Sequence, residues 1–505
     1  MKNLFKTCLA AFVLVSALSC QNNDMNEMIP AEIPASVGPN TLVYGLTQTN
    51  ELVLFNANKP SVFTSKTAII GVTAGEKILS IDFRPATGEL YGVSDASKFY
   101  IINTSTAAAR LVSATPFVPA ISGTIASIDF NPTVDRVRLV TNTGQNLRLN
   151  PENGVIAAVD TNINGGASPS ISGVAYTNSV SGASATVLYD LDATTGKLYK
   201  QDPPNNGALV EVGALGFTFT GQAAFDISPD NGAAIVAATT GMTNRLYTID
   251  LNTGKSTNIG DLTQKIIDVA LPTNPVAYSV TMGNALQIFN PNNPAAPVSK
   301  AITGLQAGEN VLGIDFRPLN GQLYALGSSS RIYTLNLGTG AATVVGGQLT
   351  TLLNGTDFGF DFNPTVDRIR VVSNTGQNLR LNPIDGTLTV DGSINPGTPS
   401  LSSAAYTNNF AGATTTTLFV IDAVTGRLYQ QNPANSGTLV DVGALGITIT
   451  ATNGFDIGST SQKAYLMATV GIDTKLYTVN TATGASTVLS SFPNIVRGFS
   501  VGLGF

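Results

Sequence analysis

Residues 129–151 read DFNPTVDRVRLVTNTGQNLRLNP, and residues 361–383 read DFNPTVDRIRVVSNTGQNLRLNP. Twenty of these 23 positions are identical, and the two copies lie 232 residues apart. An internal repeat of this kind must be explained before any other feature, because it marks a duplicated structural unit. We therefore divide the chain into two related units, residues 41–271 and residues 272–505.

A shorter repeat runs through both units as a brief apolar segment that often ends in Asp followed by an aromatic residue or Ile. Examples are ILSIDF at 78–83 and VLGIDF at 311–316. The segments recur every 43–51 residues, which is close to the length of a four-stranded propeller blade. The Asn-Pro, Thr-Gly and Asn-Gly turns between segments suit the hairpins of such a blade. The sequence predicts an all-β propeller of about ten four-stranded blades. The aligned positions are 82, 129, 175, 226, 269, 315, 361, 405, 456 and 500, at intervals of 43–51 residues.

The two ends of the chain indicate how the blades close. Residues 42–64 resemble the last three strands of a blade, and VRGFSVG at 496–502 resembles the missing first strand. Only residues 272–275 separate IIDVAL from VAYSV at the junction of the units, and four residues span about 14 Å at full extension. Because so short a link closes a hairpin more easily than it bridges two rings, we favour a single ten-bladed ring. Two five-bladed propellers are the alternative.

The long motif is accompanied by IDFRPATGELYG at 81–92, IDFRPLNGQLYA at 314–325 and two AYTN segments. Together these motifs resemble a bacterial domain family of unknown function. The resemblance covers residues 41–505 as two tandem units. It implies an exported, propeller-like repeat protein and supplies no catalytic residues.

Residues 1–19 have the features of a lipoprotein signal peptide, with a short positive region, an apolar run at 9–18 and a small residue before Cys20. The run is too short to cross a bilayer as a helix. Lipid attachment at Cys20 would account for the single Cys left after cleavage; an ordinary secretory signal is the alternative. Residues 20–40 are polar and Pro-containing, which predicts a flexible tether. We expect a lipid-anchored protein of the bacterial cell envelope, periplasmic or at the cell surface.

Composition excludes several classes of function. The net charge of −6 without a basic run argues against nucleic acid as a partner. The absence of His excludes a Ser-His-Asp triad and a HExxH zinc site. We therefore expect a non-catalytic binding or scaffolding module for an extracytoplasmic glycan, peptide or envelope protein. A carboxylate-based glycan hydrolase or lyase in the propeller mouth is the alternative, since acidic pairs can form in three dimensions alone.

The recurring Asp of the first strands is the first candidate for a site, because first strands lie innermost in a propeller. Six carboxylates near an axis could hold a hard cation such as calcium. We favour a structural role, in which each Asp caps its turn and pairs with a nearby Arg such as Arg84, Arg136, Arg317 or Arg368. No cofactor is therefore predicted, with calcium as the alternative. The six residues are Asp82, Asp129, Asp226, Asp315, Asp361 and Asp456.

Arginines on the second and third strands are the second candidate. Strand alternation places Arg136 and Arg138 on one side, with Arg148 beside them. Guanidinium groups bind carboxylate, sulfate or phosphate, but we favour salt bridges between blades, with Asp129 or Asp135 as partners. The predicted structural set is Asp135, Arg136, Arg138, Arg148, Asp367, Arg368, Arg370 and Arg380.

The polar turn NTGQN and its copy are the third candidate. Their amide side chains could bind sugar hydroxyls or peptide, although an ordinary tight turn is the interpretation we favour. Turns between second and third strands open on the opposite face from the NPTVD turns. The candidate ligand-binding residues are Asn142, Gln145, Asn146, Asn374, Gln377 and Asn378.

Overall fold

The computed structural model describes residues 36–166, 168–219, 221–450 and 454–505. The described residues form forty strands and two single-turn 3-10 helices, Pro204–Asn206 and Ala434–Ser436. Every strand is short and is followed by a turn rich in Gly, Asn, Asp or Pro, which is why the chain repeatedly reverses direction.

The first half of the fold, β1–β20, comprises β1 (Leu42–Thr47), β2 (Glu51–Asn56), β3 (Phe63–Ala68), β4 (Ile78–Phe83), β5 (Leu90–Ser94), β6 (Phe99–Ile102), β7 (Ala109–Leu111), β8 (Ala126–Asn131), β9 (Arg136–Thr141), β10 (Asn146–Leu149), β11 (Ile156–Val159), β12 (Ile171–Tyr176), β13 (Leu188–Asp192), β14 (Lys197–Gln201), β15 (Leu209–Ala214), β16 (Ala224–Ile227), β17 (Ala234–Thr240), β18 (Thr243–Ile249), β19 (Ser256–Asp261) and β20 (Ile266–Ala270).

The second half, β21–β40, comprises β21 (Ala277–Thr281), β22 (Ala285–Asn290), β23 (Asn293–Ala301), β24 (Val311–Arg317), β25 (Gln322–Gly327), β26 (Arg331–Leu335), β27 (Ala342–Val345), β28 (Phe358–Asn363), β29 (Arg368–Ser373), β30 (Asn378–Leu381), β31 (Leu388–Val390), β32 (Leu401–Tyr406), β33 (Leu418–Asp422), β34 (Arg427–Gln431), β35 (Leu439–Ala444), β36 (Gly454–Ile457), β37 (Ala464–Val470), β38 (Asp473–Val479), β39 (Ser486–Phe492) and β40 (Val496–Val501).

The strands form ten four-stranded antiparallel sheets, which confirms the all-β prediction. Eight sheets consist of four consecutive strands, such as β4-β5-β6-β7. The other two combine distant segments, because β20 pairs with β1 and β40 pairs with β21. In each half, the first and last strands in sequence therefore belong to one sheet.

The inner strands of the sheets contact one another in two closed cycles. In the first half, β4 contacts β8, β8 contacts β12, β12 contacts β16, β16 contacts β20, and β20 returns to β4. In the second half, β24, β28, β32, β36 and β40 follow the same order, and β40 returns to β24. Each half thus contains one cycle of contacts among its own inner strands.

The predicted pairing of residues 42–64 with the C-terminal segment is wrong, and the single ring of ten blades required that pairing. The physical reason is the link between β20 and β21, which consists of six residues, 271–276, rather than four. Its seven peptide steps reach about 23 Å when extended. Leu271 at its start packs in the core of the first half, whereas Val276 at its end packs in that of the second.

Apolar side chains fill the space between neighbouring sheets. Tyr91 on β5 meets Phe130 on β8 edge to face, with ring centroids 5.2 Å apart. The equivalent pair in the second half, Tyr324 and Phe362, has the same geometry at 5.1 Å. Such aromatic pairs contribute about 0.5–1.5 kcal/mol beyond their buried area, so the repeat preserves both sequence and packing.

The two halves contact each other through turns that follow inner strands. The Tyr278 hydroxyl in the second half donates to the carbonyl oxygen of Ala86 in the first, at 2.8 Å. In the other direction, Arg84 donates to the carbonyl oxygen of Gly321 at 2.9 Å. Because Arg84 is fully buried, this contact lies inside the protein.

Asp190 on β13 is a buried carboxyl group without a partner among the described residues. Its side chain is 0% exposed, and neither oxygen accepts or donates a hydrogen bond. Burial raises the pKa of Asp190 to about 8, although the nearby Arg138 acts in the opposite direction. The equivalent residue of the second half, on β33, is Val420, so one half tolerates an apolar side chain of similar size here.

We expect Asp190→Val to stabilise the full chain by about 1–3 kcal/mol at pH 7, because it removes an unsatisfied buried polar group without leaving a cavity. The gain should grow as pH rises from about 4 to about 8, because the unfolded wild type has released a proton that its folded form still holds, and it should level off above pH 8. Urea unfolding at pH 6, 7 and 9 measures both effects.

The reciprocal variant Val420→Asp is the matched control and should destabilise the protein, more strongly at high pH. A loss of stability in Asp190→Val would show that the carboxyl group has a stabilising partner, such as an ordered water, and would contradict the prediction.

Candidate functional site

Two clusters of buried aspartates lie where the inner strands of each half converge. The first acidic cluster consists of Asp82, Asp129, Asp226 and Asp268, and the second consists of Asp315, Asp361 and Asp456. Oxygens of three members lie within 4.8 Å of one another in each half: Asp82, Asp129 and Asp226 in the first, and all three members in the second. The six predicted aspartates are therefore brought together as two groups of three.

Every carboxylate of the clusters accepts a hydrogen bond from a backbone N–H of a neighbouring inner strand or of the residue that follows it. These bonds join strands that the sheet ladders leave unconnected. The pairs are Phe130 to Asp82 (2.7 Å), Tyr176 to Asp129 (3.1 Å), Leu271 to Asp226 (2.6 Å), Ile81 to Asp268 (2.8 Å), Phe362 to Asp315 (2.8 Å), Tyr406 to Asp361 (2.9 Å) and Val501 to Asp456 (2.7 Å).

These contacts favour a structural interpretation of the aspartates, but the partners differ from those that we expected. We expected turn capping and ion pairs with arginines, but the partners are main-chain amides. The arginines that follow the inner strands pair elsewhere: Arg84 binds Asp135 through two bonds, of 2.8 and 2.5 Å. Arg317 binds Asp367 in the same way, at 2.8 and 2.5 Å.

Asp268 was missed by the sequence analysis. The alignment of inner strands placed Val269 at the recurring position, whereas in the structure the preceding residue joins the cluster. Asp268 accepts hydrogen bonds from the Ser80 hydroxyl and the Ile81 amide. The sequence signal was the Asp in KIIDVA, displaced by one residue from the repeat. In the second half Ser500, which corresponds to Ala270 by strand register, adds a hydroxyl group to the cluster and donates to Asp315 at 2.9 Å.

Burial raises the pKa of every member of both clusters. The pKa of Asp226 rises to about 8, and those of Asp268 and Asp456 rise to about 7. For the other members, neighbouring carboxylates add to burial, and the pKa lies well above its ordinary value. These members are Asp82, Asp129, Asp315 and Asp361. At neutral pH each cluster therefore retains protons.

The clusters offer only part of a calcium shell. Three carboxylate oxygens can touch one cation, but calcium takes six to eight oxygen ligands at 2.3–2.6 Å. Beside the second cluster, a cavity of about 10 Å³ lies among the inner-strand residues that precede the aspartates. A space of this size holds about one water molecule. The buried carboxyl groups of each cluster are therefore better suited to sharing protons among themselves than to holding a hydrated cation.

The arginines of the long motif form a second network, centred on an aspartate at the end of the fourth strand of their own sheet. Arg138 donates to Asp160 at 2.6 Å, and Arg148 binds both oxygens of Asp160, at 2.8 and 2.9 Å. The second half repeats this with Arg370, Arg380 and Asp391. Asp160 and Asp391 were not among the expected partners, because they follow the fourth strands and lie outside the repeated 23-residue motif.

Arg136 and Arg368 are not part of these pairs. Arg136 donates to the backbone carbonyl of Asp135 at 2.7 Å, and Arg368 donates to that of Asp367 at 2.8 Å. Within the described ranges neither makes a salt bridge, and Arg368 is exposed. The predicted salt-bridge set therefore contains two members whose guanidinium groups remain partly available.

The six amide candidates are all engaged within the chain. Asn146 lies buried and donates to the carbonyl oxygens of Thr161 and Pro204, both at 3.0 Å. Gln145 accepts from the Ser122 amide at 3.0 Å. These bonds fasten the loops between sheets, which favours a structural role. The corresponding contacts of the others are Asn142 with Thr124, Asn374 with Thr356, Gln377 with Asn354, and Asn378 with Gly392.

A surface cavity of about 140 Å³ lies in the second half between the sheets β28–β31 and β32–β35. Arg368 and Arg380 also border an adjoining cavity of about 170 Å³. We call the cavity of about 140 Å³ the arginine cavity. Six of its lining residues are Asn363, Arg368, Arg370, Arg380, Tyr406 and Asn435.

The predicted signal peptide, Cys20 and residues up to 35 lie outside the described residues. In the described ranges the structure has no helix that is long and apolar enough to cross a membrane.

Comparison with known proteins supports the tandem arrangement. The family described as Domain of unknown function (DUF4394) matches residues 51–270 and again residues 285–500. No curated protein matches the chain. Among solved structures, the chain is similar to one titled "Structure of Dos1 propeller", at 13% identity over 66% of this chain and 90% of that chain, with a TM-score of 0.26. Another is dihydro-heme d1 dehydrogenase NirN in complex with DHE, at 11% identity, 81% and 74% coverage, and a TM-score of 0.25.

The raised pKa values of the clusters predict that stability falls as pH increases from 5 to 8. The folded protein keeps these carboxyl groups protonated, whereas the unfolded chain ionises them near pH 4, so their contribution is lost as pH rises through about 7 to 8. Each such group should lower the free energy of unfolding by on the order of 1 kcal/mol per pH unit in this window. Urea unfolding of the full chain at half-unit pH steps measures the slope.

Asp226→Asn should make this slope shallower, because the amide does not ionise. The control is Asp250→Asn, an exposed turn residue whose pKa is lowered by the Asn252 amide, and it should leave the slope between pH 5 and 8 unchanged. A wild-type stability that is flat or rises over this range would contradict the assignment.

Proposed function

The chain belongs to the family described as Domain of unknown function (DUF4394), and we propose that it is an exported, lipid-anchored protein built from two five-bladed β-propellers. In this proposal the protein is a non-catalytic binding or scaffolding module. Its ligand is extracytoplasmic: a glycan, a peptide or another envelope protein.

The contact cycles of the inner strands support two propellers of five blades. Each cycle returns to its own first member, and the pairing of β20 with β1 and of β40 with β21 completes one sheet in each half. Closing a blade with strands from both ends of a unit removes free sheet edges. This is the arrangement expected when a self-closing unit is duplicated.

The distribution of polar groups is the observation that carries the binding role. The carboxyl groups with raised pKa values are buried at the centre of each half and are bonded to backbone amides. The groups that line an open cavity are guanidinium, amide and phenol groups instead. Hydrogen-bond donors of this kind recognise ligands, whereas general acid–base chemistry needs accessible titratable groups.

The glycan hydrolase or lyase alternative gains no support from this geometry. Glycosidase carboxyl groups flank a sugar and stand about 5–9.5 Å apart across an accessible site. In the clusters the grouped oxygens lie within 4.8 Å of one another in a buried setting, so a sugar ring has no space between them.

We expect at least one envelope polysaccharide or peptidoglycan fragment to raise the melting temperature of the full chain without being cleaved. A ligand at 100 times its Kd stabilises by about 2.7 kcal/mol, which is a shift of a degree or two for a chain of this size. Calorimetry with a polysaccharide panel, followed by a reducing-end assay, measures both. Release of reducing ends at a catalytic rate would contradict the non-catalytic role.

Calcium and EDTA belong in the same screen. A calcium-dependent rise in melting temperature that EDTA reverses would assign a cation to the acidic clusters, in place of the shared protons.

Lipid anchoring predicts that the chain fractionates with membranes and that Cys20→Ser releases it to the soluble fraction. Cys8→Ser is the matched control and should leave fractionation unchanged, because Cys8 lies in the predicted signal peptide. Metabolic labelling with a clickable fatty acid provides an independent measurement. Membrane retention of Cys20→Ser would contradict the anchor.

A further inference from the structure

The arginine cavity concentrates positive charge in the second half. Arg368 and Arg370 reach it from β29 and Arg380 from β30, while Tyr406 and Asn435 come from the neighbouring sheet. Asp391 is the carboxylate that binds two of the three arginines, Arg370 at 2.7 Å and Arg380 at 2.6 Å. Three guanidinium groups therefore face one paired carboxylate.

Two of these arginines have N–H groups with no acceptor among the described residues. The Nε and Nη2 of Arg380 bind Asp391, which leaves its Nη1 free. The Nη1 of Arg368 binds a backbone carbonyl, which leaves its Nε and Nη2 free. Arg370, by contrast, is held through all three nitrogens by Tyr406, Asn378, Asp391 and Asn435. The cavity thus combines one guanidinium group that is fully engaged with two whose free N–H groups can donate hydrogen bonds to a ligand.

Other carboxylates near the cavity do not cancel this charge. Asp367 is bound through both oxygens by Arg317. Asp385 is exposed, interacts with Arg368 and accepts hydrogen bonds from the amide and hydroxyl of Thr387. With the two carboxylates of Asp385 and Asp391 set against the three arginines, the site keeps a net charge of +1.

The first half places one carboxylate differently at the equivalent site. There Glu152 interacts with Arg136 and lies 3.5 Å from Arg84. It also accepts a hydrogen bond from Gln322 of the second half, at 3.2 Å. The residue of the second half that corresponds to Glu152 is Ile384, which is 66% exposed. The copy in the second half carries its carboxylate one residue later, at Asp385 in place of Asn153, where it is exposed and is not held by an equivalent of Arg84 or Gln322.

From this geometry we infer that the arginine cavity is a binding site for an oxyanion, a carboxylate, sulfate or phosphate group carried by a ligand. A volume of about 140 Å³ accommodates such a group, since a water molecule occupies about 30 Å³ in the liquid. Planar guanidinium groups donate paired hydrogen bonds to these anions. The inference rests on the proposed binding function and names the chemical class of one ligand.

Isothermal titration of the full chain with sodium sulfate, sodium phosphate and sodium glucuronate, at constant ionic strength in chloride, tests the site. We expect binding of at least one anion and about tenfold weaker binding by Arg368→Gln, because a charge-assisted hydrogen bond contributes about 1.5 kcal/mol or more. A preference for glucuronate would indicate an acidic sugar as the source of the anion, and a preference for an inorganic ion would indicate the free anion. Binding should weaken as ionic strength rises.

Arg136→Gln is the matched control, because it makes the same change in the first copy of the motif and should leave affinity unchanged. Ile384→Glu restores the carboxylate of the first half and should weaken binding, whereas Ile384→Gln should not. Equal effects of Arg136→Gln and Arg368→Gln, or no effect of either, would overturn the inference. Melting temperatures of all four variants show whether each is folded.

The same variants separate this inference from the proposed function. If a polysaccharide binds the wild type and Arg368→Gln equally well, the module binds ligand elsewhere and the oxyanion site is refuted. If sulfate binding depends on Arg368 while no polysaccharide or peptide binds, the site stands and the proposed module fails.

Discussion

The free backbone edge of the inner strands is the constraint on which each half depends. An inner strand pairs with its sheet on one side only, so the N–H groups on its other side need acceptors, and a packed interior supplies no bulk water. Aspartates of neighbouring inner strands provide those acceptors, as Asp82 does for Phe130 and Asp315 does for Phe362. The recurring Asp is therefore conserved between the halves as a cross-strand link at the centre of the fold.

This arrangement forces carboxyl groups into close contact and makes them poor ionising groups. Like charges within a few ångströms in a buried place cannot all persist, so protons are retained. Positions without Asp relieve the crowding: Ala175 and Ala405 occupy the aligned positions on β12 and β32, and Ser500 supplies a neutral donor to the second cluster. Burial lets these aspartates accept hydrogen bonds from the backbone of the inner strands. The same burial keeps them away from acid–base chemistry at the surface.

The sequence was sufficient for the all-β fold, the ten sheets and the tandem units, because strand and turn patterns are local. Which strands complete the first and last sheets was not predictable in the same way. The answer depended on whether the link between β20 and β21 has four or six residues, and the ends of strands cannot be located to within one or two residues from sequence. Asp160 and Asp391 were missed because they lie just after the fourth strands, where the strand pattern does not show which side chains of a sheet meet. The free donors of Arg368 and the burial of Asp190 likewise depend on what packs around them.

Duplication gave both halves nearly the same motif, yet their surroundings differ. The Arg84–Asp135 pair lies against the second half through Gly321, and its Asp side chain is 7% exposed. The equivalent Arg317–Asp367 pair leaves its Asp 30% exposed. Since the first copy contributes to the contact between the halves, its neighbouring Glu152 is held there by Arg84 and Gln322. The second copy lacks that contact, and its carboxylate lies one residue later, at the exposed Asp385. An identical set of arginines can therefore hold the fold in one half and remain open to a ligand in the other.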